Sequence, residues 1–295
     1  MTKRMMVAVA MLAAGTAMAG QKEDAAKARA EIQQMLGFVP EYFKAVPDTA
    51  LPGAWEEVKT LEATDKTAIP CKYKELIGLA VAAQVPSRSF VYLHSKIAKQ
   101  SGATDAEVND AIMMAASTRH WSTFFNGMQL DESKFRSEIK TVTDNIKKAI
   151  ASGMQPPAPM TLSDQASALK DMEQSFGFAP EWAKRFPAAS FAGAYRELRD
   201  VELGETAVPG KYKNLISLAV AAQIPCKYCM IADSEFAKVD GATDAEIAEA
   251  VAMGSLTRHW ATLTDGLLVD EATFRKDVDK MVKALTMPKG VTAKK

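Results

Sequence analysis

The strongest constraint on this chain is that it contains one unit twice. Gly37-Phe38-Val39-Pro40-Glu41 returns as Gly177-Phe178-Ala179-Pro180-Glu181, and Lys72-Tyr73-Lys74 as Lys211-Tyr212-Lys213. Gly102-Ala103-Thr104-Asp105-Ala106-Glu107 returns as Gly241-Ala242-Thr243-Asp244-Ala245-Glu246, and Thr118-Arg119-His120-Trp121 as Thr257-Arg258-His259-Trp260. The offset is 140 residues early and 139 afterwards, so one residue was lost between. A period this long marks a duplicated domain rather than a solenoid repeat. Gly153, Pro156, Pro157 and Pro159 give the stretch between the copies the composition of a semi-rigid linker. The expected division is a signal peptide over 1–19, a first domain over 25–150, a linker over 151–161 and a second domain over 162–286.

Each copy reads as helix throughout. Leu76-Ile77 with Leu79-Ala80-Val81-Ala82-Ala83, and Leu215-Ile216 with Leu218-Ala219-Val220-Ala221-Ala222, are apolar on most faces, as a helix in the middle of a bundle is. Thr104 with Glu107, and Thr243 with Glu246, fit capping boxes. Phe135, Ile139, Val142 and Ile146 run at helical spacing, as do Phe274, Val278, Met281 and Leu285. No alternating run is long enough for a sheet. The expected class is all-α: two tandem helical bundles packed together. The lysine-rich tail after Leu285 reads as frayed.

The second copy carries Cys226 and Cys229, one helical turn apart, directly after Pro225. Thiols in a first helical turn feel the positive end of the helix dipole, which favours thiolate. The same spacing also suits a structural disulfide or two buried apolar cysteines, so both readings stand. Zinc would need two more ligands, and with three cysteines and three histidines in the chain neither a metal nor a cofactor is expected. Cys71, the odd cysteine, reads as a partly buried helix-start residue.

The N-terminus predicts export. Lys3 and Arg4 precede an apolar run from Met5 to Ala14, and Ala17-Met18-Ala19 supplies a small-x-small cleavage site. The run is too short to span a bilayer. Its removal leaves 34 basic against 36 acidic groups, a balance that argues against nucleic acid as a partner. In a periplasmic or secreted setting the cysteine pair is expected to rest as a disulfide.

A Lys-x-x-Leu-Ile-x-Leu-Ala-Val-Ala-Ala helix, a short turn and a Cys-x-x-Cys opening the next helix resemble the carboxymuconolactone decarboxylase / AhpD-like alkylhydroperoxidase family. The likeness covers roughly residues 30–150 and 165–286. It implies Cys229 as the thiol that attacks a peroxide and Cys226 as the one that resolves the sulfenic acid. It also implies a glutamate–histidine proton relay and a homo-oligomer. This chain departs from the pattern. The relay positions beside the thiols are Asn214 and Asp233, and an ionised Asp233 would raise the pKa of Cys229. The first copy has Ser87 and Phe90 in place of the cysteines, yet keeps Glu75 and His94 where the relay belongs. Either the relay crosses from one copy to the thiols of the other, or both sites have decayed.

Tyr228 screens the pair or simply packs, and His120 and His259 read as anchoring or second-layer residues beside their tryptophans. The expected activity is a peroxiredoxin-type antioxidant or a disulfide-exchange protein. Its substrate would be a hydroperoxide or other small molecule, and its partner a thiol reductant. Two alternatives are a non-catalytic helical scaffold with a structural disulfide, and a decarboxylase-like lyase relying on His94, His120 or His259.

Overall fold

The computed structural model describes residues 3–155 and 157–286, with side chains from Gly20 to Leu285 apart from Pro156. The expected signal motif and the lysine-rich tail lie outside the described side chains. The helices are α1 (Lys3–Leu36), α2 (Glu41–Lys44), α3 (Leu51–Glu57), α4 (Cys71–Gln84), α5 (Arg88–Gln100), α6 (Asp105–Gly127) and α7 (Glu132–Ala151). They continue as α8 (Gln165–Phe176), α9 (Glu181–Arg185), α10 (Ala188–Glu197), α11 (Gly210–Gln223), α12 (Lys227–Val239), α13 (Asp244–Gly266) and α14 (Glu271–Thr286). Short π-turns, Val58–Glu62 and Leu198–Leu203, follow α3 and α10. No strand occurs among the described residues, so the all-α expectation holds. No helix among them is long and apolar enough to cross a membrane.

Packing divides the chain into Met1–Thr64 with His259–Lys295, and Asp65–Arg258. Each unit draws on both sequence copies, so the units do not follow the repeat. In the first unit α1 packs on α3 and α14, and α2 on α14. Its core is aromatic: Phe43 meets Trp55 edge-on at 5.6 Å and Trp260 at 5.0 Å. Phe274, Val278 and Met281 are buried as their spacing predicts, whereas Leu285, at the end of the stripe, is exposed.

The second unit is built on α4 and α11, the equivalent helices of the two copies, which pack on each other. They can sit centrally because Leu76, Ile77, Ala80 and Val81, and Leu215, Ile216, Ala219 and Val220, leave no polar stripe and are fully buried. Tyr73 and Tyr212, near the starts of the two helices, stack at 3.5 Å and 8°. Helices α5 and α12 flank this pair, α6 packs on both α4 and α11, and α7 lies on α12. Both capping boxes form: the Thr104 hydroxyl accepts the Glu107 N–H at 3.1 Å, and the Thr243 hydroxyl that of Glu246 at 3.2 Å.

The end of the linker is tied down by Asp171. Its carboxylate accepts the Met160 N–H (2.9 Å) and the Tyr195 hydroxyl (2.9 Å), with Arg199 at 3.4 Å. Asp171 and Tyr195 are both buried, so removing the carboxylate strands donors that cannot reach water. Asp171→Ala is expected to lower stability by about 3–5 kcal/mol, read from urea unfolding.

Candidate functional site

The thiols are placed by the start of α12. Cys226 caps that helix in an extended conformation (φ −89°, ψ 98°), which aims its Sγ back over the first turn. The Cys229 N–H, left without an intrahelical partner there, donates to that sulfur at 3.3 Å. Ser87 holds the same cap position on α5 with nearly the same backbone (φ −83°, ψ 98°) but makes no side-chain cap bond. The Cys226 and Cys229 sulfurs lie one helical turn apart and are described as free thiols.

The two sulfurs are electrostatically unequal. Cys226 is pushed down to about 7 by hydrogen bonding from the Cys229 thiol, and further by the Cys229 and Tyr228 N–H groups and the Asn126 amide, against the effect of burial. Cys229 is pushed up by the bond it makes to Cys226, then by burial and by Asp233. Of the two, Cys226 is the thiol that ionises more readily.

Access runs the other way. Cys226 is fully buried, while Cys229 lines a cavity. The walls come from both copies: Trp121 and Phe125 of α6 and Phe135, Ile139 and Val142 of α7 face Trp182, Cys229, Asp233 and Phe236. The lining is mainly apolar, with room for several water-sized groups, and its ionisable oxygens belong to Asp233 and Glu202. Asp233 is 8% exposed and its Oδ2 has no hydrogen-bond partner among the described residues. Burial first, then the charge of Glu202, holds its carboxyl well above the usual carboxylate range. Burial thus favours the protonated form of Asp233, an acid able to give up a proton.

Sequence reasoning missed Glu202. The π-turn after α10 carries it into the cavity wall, where the Ser117 hydroxyl donates to it. The turn is held by buried Lys213, which donates to the Val201 (2.8 Å) and Gly204 carbonyls. Glu202 as a whole residue is only partly buried, yet desolvation of its carboxyl raises it to about 7. One sequence signal was available: Glu62 ends the other π-turn, 140 residues earlier.

A carboxyl raised on folding contributes stability below its unfolded pKa and loses it as pH climbs through the folded value. Glu202→Gln removes that loss. Relative to wild type the variant is expected to be about 1–2 kcal/mol more stable at pH 8 than at pH 5, measured by urea unfolding at the two pH values.

The remaining sequence candidates separate. Asn214 reaches the cavity and donates to Asp240 at 2.9 Å. Tyr228 is buried and donates to the Leu130 carbonyl at 2.6 Å, so it packs. Glu75 and His94 do not line the cavity. They form their own buried pair, Oε2 to Nδ1 at 2.8 Å, with Thr257 3.4 Å from Nε2. Gly78 makes room for that imidazole: a Cβ there would lie 2.5 Å from the ring. The first copy thus contributes to the thiol site through Trp121, Phe125 and Ser117 rather than through Glu75 and His94. His120 is exposed and ranges against Trp121 at 5.1 Å, and His259 is exposed beside Trp260. Cys71 opens α4 partly buried, its thiol pushed up to about 12 mainly by burial. Lys227 pairs with Glu132 at 2.8 Å, and Lys211 with Glu246 at 2.7 Å.

These features define a class: a duplicated all-helical protein in which one copy presents a cysteine, with a second thiol buried behind it, to a mainly apolar cavity. The chain belongs to the carboxymuconolactone decarboxylase family, whose profile matches it at residues 49–132 and 189–272. No curated protein and no solved structure matched it.

Proposed function

We propose that the protein is a dithiol peroxidase that reduces a hydroperoxide at Cys229, resolves the product with Cys226 and is restored by an external thiol. The observation that carries this reading is the position of Cys229, on the wall of the cavity that Asp233 also lines, with its backbone N–H donating to the sulfur of a second, more acidic thiol. Family membership is compatible with it.

The chemistry balances on these groups. Cys229 passes its proton to the Cys226 thiolate and becomes the nucleophile. Its sulfur attacks the terminal peroxide oxygen, the O–O bond breaks, and the alkoxide leaves with a proton from Asp233. The products are an alcohol and a sulfenic acid on Cys229. Cys226 then gives its proton to Asp233 and attacks the Cys229 sulfur. Hydroxide departs, retaking that proton as water, and a Cys226–Cys229 disulfide remains. Two electrons have passed from the dithiol to the peroxide. The reductant must be a thiol able to reach the pair, and export of the protein, expected from Lys3, Arg4 and the apolar run after them, is part of the same proposal.

The test is consumption of cumene hydroperoxide with dithiothreitol as reductant, lost in Cys229→Ser. A second reading, a structural disulfide in a helical scaffold, is favoured by the burial of both thiols. It requires a pair that ignores peroxide and has a reduction potential below about −300 mV.

A further inference from the structure

We propose that Glu202 is the proton shuttle of the site, carrying protons from solvent to Asp233 after each turnover. The inference rests on the dithiol peroxidase reading, in which disulfide formation leaves Asp233 ionised. The external thiol attacks the disulfide as thiolate, so its protons are released to solvent and must return. Asp233 is poorly placed to collect one from the surface, because it is 8% exposed and its Oδ2 touches no donor or acceptor among the described residues. Glu202 lines the same cavity, and its charge acts on both Asp233 and Cys229. Unlike Asp233, Glu202 is only partly buried as a residue, although its carboxyl is desolvated.

The groups facing Glu202 suit a carrier. Ser117 on α6 donates to it, which favours the ionised form, and the Lys213 charge on α11 acts the same way. Burial, aided by the Glu197 charge on α10, outweighs both of these and raises the carboxyl to about 7. Cys229 and Asp233 on α12 complete the surroundings. A group titrating near neutrality accepts and releases a proton with equal ease. The π-turn that delivers Glu202 is a local departure from α-helix of a kind found at functional sites.

The test compares wild type with Glu202→Gln, using cumene hydroperoxide and dithiothreitol at pH 8. Steady-state turnover is expected to fall roughly tenfold, while disulfide formation in a single turnover of pre-reduced protein is unchanged. Imidazole, a small diffusible proton carrier, is expected to restore turnover. Cys229 alkylation by iodoacetamide is expected to move to lower pH in the variant, because a neighbouring negative charge is gone. Turnover equal to wild type, a first turnover slowed as much as the steady state, or failure of imidazole to rescue would each overturn the shuttle. If wild type itself consumes no hydroperoxide, the peroxidase reading and the shuttle role fall together. With an active wild type, any of the three adverse results removes the shuttle alone.

Discussion

Replacing Cys229 with serine abolishes hydroperoxide consumption, a fall of at least about 10³-fold in the rate of reductant oxidation. Of the two sulfurs, Cys229 lines the cavity and Cys226 does not. Cys226→Ser behaves differently. Its Cys229 still meets the peroxide but has no resolving partner, so the variant consumes about one equivalent and stops with a sulfenic acid at Cys229, trapped by dimedone and located by mass spectrometry. Cys226→Ser also removes the hydrogen-bonding partner that pushes Cys229 up, the largest contribution to that shift. A reversed pattern, with Cys226 carrying the sulfenic acid, would mean that acidity rather than access selects the nucleophile.

Asp233→Asn is expected to slow peroxide reduction by about 10²–10⁴-fold, because the amide keeps the shape of the side chain but cannot protonate the departing alkoxide. The same change removes a carboxyl whose ionised form raises Cys229. At alkaline pH, where that carboxyl ionises, alkylation of Cys229 by iodoacetamide should therefore become faster in the variant while peroxide reduction becomes slower. Damage to the fold would slow both, so the opposite signs identify a proton donor. Equal peroxide rates in variant and wild type would remove Asp233 from the chemistry.

Much of this architecture could be read from the residues because it is local. Pro225 before Cys226, the Thr104 and Thr243 capping boxes and the uninterrupted apolar runs of α4 and α11 each fix a helix or its end by chemistry within a few positions. Leu285 escaped because spacing sets a helical face but not what covers its last turn. The site was half legible. The thiols and Asp233 are neighbours in sequence and stayed neighbours in space. Glu202, 27 residues before Cys229, is brought there by a π-turn that no propensity announces. Trp121, Phe125 and Ser117 arrive from the other copy through helix packing, a long-range outcome that residue spacing does not encode. The contribution of the first copy was anticipated in kind but not in identity, since Glu75 and His94 satisfy each other in a separate buried pair. The charge state of Asp233 depends on burial, which exists only in the folded chain.

The most direct measurement titrates the fully reduced protein with cumene hydroperoxide in the absence of reductant, counting thiols and mapping the bond formed. The account predicts that one equivalent of peroxide removes two thiols, joins Cys226 to Cys229 and leaves Cys71 free. Retention of all three thiols, or oxidation at Cys71 alone, would contradict it.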